Sequence, residues 1–186
     1  MLSRFVNRLS GTILVLALVA VLAGDASAQN PVTPGYLDVG AVAGIGETGD
    51  AGFSGGLRTE YGWKTLPSLG GGTLAIQAGG DFYWWSFGLG YKWFVLPLGV
   101  SANYHFKSSP GRFDPFVGVG FGYTIANCSW GPGIWGRCEG AESEFFPIAK
   151  VGTRIFLSDV MAFYVDAGLG SATVNAGLTF RVRGSN

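Results

Sequence analysis

Ten ionisable side chains occupy alternate positions in segments that otherwise carry small or apolar residues. Successive side chains of a β-strand point to opposite faces, so residues of one phase share a face. Both signs of charge occur in similar number, and a buried charge without a partner costs several kcal/mol. We therefore expect an ionic network inside a closed sheet. Its members are Asp38, Arg58, Glu60, Asp81, His105, Glu144, Lys150, Arg154, Asp166 and Arg181.

His105 is the only histidine, and its surroundings argue against catalysis. A hydrolytic site needs a base and a nucleophile within hydrogen-bond reach. Ser101 is the nearest hydroxyl in the same phase, and it lies four residues away along the strand. The glycines at 118, 120 and 122 precede no helix, so they do not form a phosphate-binding loop. We expect no enzyme activity, no cofactor and no metal, and a membrane-embedded lipid-modifying enzyme is the least favoured function.

The two cysteines, Cys128 and Cys138, lie in one Gly- and Trp-rich segment. An exported chain passes through an oxidising compartment, which favours a disulfide that closes a short loop. A metal site is the alternative, but no histidine lies nearby. Trp130 and Trp135 lie beside or inside this loop and are candidates for contact with a partner. A rigid lid with its tryptophans packed on the rim is the other interpretation.

Period-two alternation defines the elements that would position these groups. From Phe53 to Trp63 the odd positions are uncharged, and Arg58 and Glu60 fall in the other phase. Similar segments recur, and eight strands of about ten residues suit a tilted transmembrane strand and an even, closed antiparallel barrel. The predicted fold is an all-β, up-and-down, eight-stranded transmembrane barrel. Its strands are 36–46, 53–64, 73–83, 96–106, 114–125, 144–157, 160–169 and 173–183.

The segment 84–94 is the weak point of this pattern. Its bulky residues keep the odd phase up to Trp93, whereas Phe94, Leu96 and Leu98 take the even phase. A slip of one residue moves every side chain to the opposite face. We expect a β-bulge near Trp93 and Phe94, and a separate short strand is the alternative.

Alternation alone does not say which face is inside, and a soluble lipocalin-like barrel would show the same period. Glycines crowd the charged phase, where a narrow eight-stranded lumen needs room for long side chains. Aromatic residues gather toward the ends of the uncharged phase, as in the girdles of membrane barrels. We therefore expect charges inside and apolar residues toward lipid. The predicted girdle comprises Tyr61, Trp63, Tyr91, Trp93, Tyr104 and Phe106.

The first 28 residues have the form of a secretory signal peptide. A basic start is followed by an apolar run of about 11 residues and the small residues Ala26-Ser27-Ala28. Residues 29–186 then form one barrel domain. The chain has zero net charge at pH 7 and contains no basic block, so we expect no nucleic-acid partner. Its charged fraction of 13% and mean hydropathy of +0.33 suit strands that face lipid.

The sequence from Pro115 to Tyr123 resembles a strand of the small OmpA- and OmpX-like outer-membrane barrels. The segment from Leu96 to Phe106 is similar to the strand that precedes it in that family. The resemblance implies a location in the bacterial outer membrane, contact with its lipid, and delivery by the barrel assembly machinery. One departure is the end of the chain, where Arg181 to Asn186 follow Phe180 in place of a terminal aromatic residue.

The resemblance also places the termini in the periplasm and the 126–143 connection outside the cell. We expect a structural or interaction role, with a filled lumen and a disulfide-closed loop that contacts an extracellular partner. A narrow pore, or a channel for a small hydrophobic molecule, is the alternative.

Overall fold

The structure, a computed structural model, describes residues 31–48, 51–87, 91–107, 112–130 and 143–184, with the side chains at 47–48, 51, 84–87, 91–93 and 127–130 excepted. The predicted signal peptide at 1–28 lies outside these residues. In the part of the chain that is described, no helix is long and apolar enough to span a bilayer.

Eight strands pair in chain order and close into an antiparallel barrel, which confirms the predicted fold class. A short 3-10 helix, Pro67–Leu69, joins the second and third strands. Every strand pairs with its neighbours in sequence, and β1 closes the barrel against β8. The strands are β1 (Leu37–Thr48), β2 (Ala51–Leu66), β3 (Gly72–Phe87), β4 (Tyr91–His105), β5 (Phe113–Trp130), β6 (Phe145–Phe156), β7 (Met161–Leu169) and β8 (Val174–Arg183).

The two faces of the sheet carry opposite kinds of residue. On β2, Phe53 is 76% exposed and Leu57 is 70% exposed, whereas Glu60 is 1% exposed. Apolar side chains thus cover the outer wall, and charged and polar side chains fill the inside. A soluble lipocalin-like barrel would show the reverse arrangement, with an apolar interior and a charged exterior. The assignment of the uncharged phase to the outer face therefore holds in the folded chain.

The expected bulge near Trp93 and Phe94 is wrong. Trp85 pairs with Trp93 and Trp84 with Phe94, in the same register that pairs Gly80 with Leu98. β4 also keeps one register along its whole length against β5. The pairing sets odd positions of β3 opposite odd positions of β4, so each phase keeps its face from one strand to the next, and the apparent change of phase is a change in which phase carries the bulky residues. A separate short strand is excluded for the same reason.

The barrel has two rims that differ in what they carry. We call the end that holds the chain termini, the β2–β3 connection and the starts of β5 and β7 the terminal rim, and the opposite end the loop rim. At the terminal rim the segment before β1 folds under the barrel, where Val32 is fully buried beside Phe156. The Gly35 amide donates to the Gly62 carbonyl at 2.8 Å and fixes this segment against β2. The segment thereby covers the lumen from below.

Candidate functional site: the charged lumen

Arg154 on β6 is the centre of an ionic cluster near the terminal rim. Its guanidinium is fully buried, and Nη1 lies 2.8 Å from Glu60 Oε1 and 3.5 Å from Asp114 Oδ2. Its Nε lies 3.2 Å from Asp38 Oδ2. One side chain thus joins carboxylates of β1, β2 and β5 across the lumen. We call Asp38, Glu60, His105, Asp114 and Arg154 the Arg154 cluster.

Aromatic rings and a phenol complete the surroundings of the Arg154 cluster. The guanidinium carbon of Arg154 lies 5.6 Å from the ring centre of Phe116 and 5.5 Å from that of Tyr164. The Tyr36 hydroxyl donates to Asp38 Oδ2 at 3.0 Å. Burial raises the pKa of the Tyr36 phenol, so Tyr36 stays neutral and acts as a donor. The cluster therefore fills the cross-section of the lumen with charge and aromatic surface.

His105 on β4 belongs to this cluster and is held at both ring nitrogens. Nδ1 lies 2.9 Å from Asp114 Oδ2, and Nε2 lies 2.7 Å from Glu60 Oε1. Neither nitrogen is left to act as a base toward a third group. The Ser101 hydroxyl is also occupied, because it donates to Asn103 Oδ1 at 3.0 Å. The geometry offers His105 no nucleophile among the described residues.

A second group of charges lies nearer the loop rim. Arg58 Nη2 donates to both carboxylate oxygens of Asp81, at 2.8 and 2.9 Å. Asn175 Oδ1 lies 3.4 Å from the same nitrogen, and Asn175 Nδ2 donates to Asp166 Oδ1 at 2.8 Å. Lys150 Nζ lies 3.8 Å from Asp166 Oδ2. We call Arg58, Asp81, Lys150, Asp166 and Asn175 the Arg58 cluster.

Gln77 on β3 connects the two clusters. Its Nε2 donates to Glu60 Oε2 at 3.0 Å, and its Oε1 accepts a hydrogen bond from Lys150 Nζ. Hydrogen bonds and ion pairs therefore run without interruption from Asp38 near the terminal rim to Asp81 nearer the loop rim. Such a network stabilises only when its members are satisfied, since an unpaired buried polar group is costly.

Inward-facing glycines provide the room that these side chains occupy. A Cβ at Gly79 would lie 2.6 Å from Arg58 Cδ, and a Cβ at Gly56 would lie 2.1 Å from Asp81 Oδ1. A Cβ at Gly118 would lie 2.1 Å from Asn103 Oδ1. On the outer wall the same substitution meets nothing at Gly55 within 4 Å. The glycines of the charged phase are therefore a packing requirement of the filled lumen.

The β7–β8 turn reaches into the lumen at the loop rim. The Tyr83 hydroxyl donates to the Ser171 carbonyl, and the Ser171 hydroxyl donates to Asp81. Ala172 is 7% exposed and points inward. Between this turn and the Arg58 cluster lies a cavity of about 50 Å³, lined in part by Lys150 and Asp166. That volume has room for a few water molecules.

Eight of the ten predicted lumen residues lie in the two clusters, and the other two differ. Arg181 is half-buried at the terminal rim and stacks over the rings of Tyr36 and Phe156, 5.3 and 5.4 Å from their centres. The expectation for Glu144 is wrong, because it precedes β6 and its side chain is exposed. Among the described residues no ion pair joins Glu144 to either cluster. Its carbonyl already accepts a hydrogen bond from the Thr124 amide of β5 at 2.8 Å, but its side chain does not enter the lumen.

The predicted aromatic girdle and disulfide are only partly within the described residues. Tyr61, Trp63 and Phe106 are 45, 54 and 43% exposed on the outer wall near the terminal rim. Tyr104 is half-buried, and its hydroxyl donates to the Leu69 carbonyl. The described part of the chain does not include the side chains of Tyr91, Trp93, Cys128 and Trp130. It includes no part of Trp135 or Cys138. The disulfide and the contact loop stay predictions.

Several residues of the network were not predicted from the sequence. Asp114 contacts both His105 and Arg154, and Gln77, Asn103 and Asn175 supply amide donors. All four lie in the inward phase of their strands, so the alternation that located the charges could also have located them. The three amides carry no charge, and Asp114 lies at the start of its strand, so neither stands out as part of a charged row.

Comparison with known proteins places the fold within a class. The chain matches a de novo designed transmembrane β-barrel with 21% identity and a TM-score of 0.53, covering 84% of this chain and 100% of the design. It matches the N-terminal barrel of Pseudomonas aeruginosa OprF with 13% identity and a TM-score of 0.50, covering 83% and 99%. It matches OprG from the same organism with 9% identity and a TM-score of 0.50, covering 84% of this chain and 100% of OprG.

No protein-family model matches the chain. No curated protein matches it either. At these identities the similarity establishes the eight-stranded transmembrane barrel fold and leaves the activity open.

Proposed function

We propose that the protein is an outer-membrane barrel with a structural or interaction role and a lumen that does not conduct ions. The observation that carries the proposal is the Arg154 cluster, whose fully buried guanidinium joins three strands across the lumen. An eight-stranded barrel has an interior just wide enough for side chains, so this cross-section leaves no water column. Val32 at the terminal rim and the Ser171 turn at the loop rim narrow the lumen further at its two ends.

The outer-membrane location rests on the outer wall and on the fold. Exposed apolar side chains run along all eight strands, for example Val119 and Phe121 at 66% each. Such a surface is stable in hydrocarbon, where a closed barrel satisfies its own backbone groups. OprF and OprG share this fold. Export through the predicted signal peptide and delivery by the assembly machinery complete this proposal.

The interaction role would belong to the 126–143 loop. A filled lumen offers no transport, so a function that involves recognition must lie in the connections. The predicted Cys128–Cys138 disulfide would stiffen this loop and lower the entropy lost on binding. An exposed tryptophan at 130 or 135 would suit the centre of a contact surface.

Planar-bilayer recording tests the proposal. Purified, refolded protein should give no steady single-channel steps at about 1 M salt, a concentration high enough to make a small ionic current visible. A large porin in the same apparatus provides the positive control. Stepwise conductance from heat-shifting, folded protein would contradict the closed lumen.

A channel for a small hydrophobic molecule is the second candidate, and one observation favours it. An apolar groove of about 640 Å³ crosses the outer wall over β1 to β6. Gly79 and Gly99 line both this groove and the lumen cavity. Pro97 lacks an amide hydrogen and cannot donate to a neighbouring strand. The paired residues of β3 and β4 run from Gly80 and Leu98 directly to Tyr83 and Val95, without the two pairs between them. The β3–β4 ladder is therefore interrupted at this point, whereas the β4–β5 ladder is continuous.

Filling the groove tests this candidate. Ala78→Phe should leave folding intact and slow the entry of a small hydrophobic dye into vesicles if the groove is a path. Ala176→Phe on the outer wall of β8, whose pairing partners do not line the groove, is the matched control. Equal dye entry for wild type and both variants would remove the channel from consideration.

A further inference from the structure

The terminal rim carries a net positive charge on its surface. Among its described residues the exposed charged side chains are four basic groups and one acid, and the segment 108–111 adds no charge by sequence. Basic groups lie at the β2–β3, β4–β5 and β8 ends, and the acid lies at the β6–β7 end. We call the basic groups the basic collar. They are Lys64, Lys107, Arg112 and Arg183, and the acid is Asp159.

The basic collar lies at the depth where lipid headgroups would be. Lys64 follows Trp63, and its Nζ lies 4.7 Å from the centre of the indole ring. Lys107 follows Phe106, which is 43% exposed on the outer wall. Exposed tryptophan and tyrosine mark the boundary between hydrocarbon and water. Long basic side chains beside them can lie along the apolar surface and extend their charge into the headgroup layer.

By sequence, the connections of the loop rim carry the opposite net charge. The sequence places five acidic and two basic residues in or beside its connections. The acids are Glu47, Asp50, Glu139, Glu142 and Glu144, and the bases are Lys92 and Arg137. The chain as a whole has zero net charge, so the positive terminal rim is a local feature and not an average property.

We propose that the basic collar binds the anionic headgroups of glycerophospholipids in the leaflet at the terminal rim. The inference goes beyond the closed barrel and rests on its proposed membrane location. Ammonium and guanidinium groups are matched by phosphodiester anions, and arginine can bind them through two parallel hydrogen bonds. A neutral, zwitterionic headgroup offers no net attraction. The lipid held there would fix the vertical position and tilt of the barrel, as interfacial anchors do.

Charge complementarity predicts a selectivity that depends on salt. Each Lys or Arg near an anionic membrane surface strengthens association by up to about fivefold, and the effect decays over a Debye length of about 8 Å at physiological salt. Four such groups should give a clear preference of the boundary lipid for an anionic headgroup. The preference should fall at high salt.

Boundary-lipid electron paramagnetic resonance tests the proposal. The full mature chain is refolded in phosphatidylcholine vesicles that contain spin-labelled phosphatidylglycerol or spin-labelled phosphatidylcholine. The measured quantity is the ratio of the two association constants. We expect a ratio of several-fold for the wild type. K64Q/K107Q should lower it by at least twofold. K92Q/R137Q removes two positive charges that the sequence places in or beside the loop-rim connections, and it should leave the ratio unchanged.

The outcomes separate this inference from the proposed function. A ratio near one for the wild type, or an equal loss in both double variants, would overturn the basic collar as the binding surface. The same measurement is made with spin-labelled lipid A. If lipid A associates more strongly than phosphatidylglycerol and K64Q/K107Q abolishes the difference, the surface binds lipid A, and the assignment to glycerophospholipids is overturned. A wild-type chain that shows no heat-dependent shift on SDS gels would instead refute the membrane barrel itself.

Discussion

Replacement of Arg154 by methionine is the perturbation that tests the filled lumen most directly. Methionine keeps the length and much of the volume of the side chain and removes only the charge and its donors. Three carboxylates would remain, from Asp38, Glu60 and Asp114, whose oxygens now lie 3.2, 2.8 and 3.5 Å from guanidinium nitrogens. His105 would be the only basic side chain left within the cluster.

The size of the effect follows from burial and distance. At an effective dielectric constant of about 20, opposite charges about 4 Å apart attract by about 4 kcal/mol. Desolvation of each buried ion costs several kcal/mol, so the intact pair contributes little net stability. Removing one partner leaves the other buried and uncompensated, which typically costs about 3–5 kcal/mol. We therefore expect Arg154→Met to lower the free energy of unfolding by about that amount.

The assay is urea unfolding of the barrel in phosphatidylcholine vesicles, followed by tryptophan fluorescence and by migration on unheated gels. Arg183→Met, at the exposed end of β8, is the matched control and should leave the unfolding midpoint unchanged. Glu60→Gln combined with Arg154→Met should be less destabilising than the sum of the single changes, by about 1–3 kcal/mol, because the two sites contact each other. A loss below about 1 kcal/mol for Arg154→Met would refute the reasoning, since that is the range of an exposed ion pair.

Three further predictions concern packing, the lipid face and the loop. Gly118→Ala would put a methyl carbon 2.1 Å from the side-chain amide oxygen of Asn103 on β4 and should lower the free energy of unfolding by about 1–3 kcal/mol. Gly55→Ala, whose methyl group meets nothing within 4 Å, should leave it unchanged, and urea unfolding would measure both. Leu57→Lys places a charge on the outer wall at the middle of β2 and should cost about 2–4 kcal/mol in vesicles. An unchanged unfolding free energy would speak against lipid contact there. Cys128 and Cys138 should resist maleimide labelling in exported protein until a reductant is added, and labelling without reductant would exclude the disulfide.

The alternation of the sequence accounts for most of the fold. Every predicted strand overlaps a strand of the barrel, because a period of two is a local property that survives in any sheet. The faces could also be assigned, since charges among glycines suit a narrow interior. The ends were less accurate. β3 continues to Phe87 and β5 to Trp130, beyond the predicted 83 and 125, because hairpin pairing extends strands past the point where their composition changes.

The sequence predicted which residues belong to the candidate site better than it predicted which of them contact each other. Asp38, Arg58 and Arg154 could be placed inside from their phase alone. Their pairing could not be read from the sequence, because it depends on the stagger between strands that are distant in the chain. Arg154 meets Glu60 across 94 positions, and Lys150 meets Gln77 across 73.

The sequence by itself determined which face of each strand is polar, and therefore that a charged interior must lie within an apolar wall. Only the tertiary structure decided how the lumen is filled. The filling depends on the Arg154 cluster, on Val32 at the terminal rim and on the Ser171 turn at the loop rim, and these segments meet only once β1 pairs with β8. Alternation is set between neighbouring residues, whereas the filling is set by contacts between strands that the chain separates.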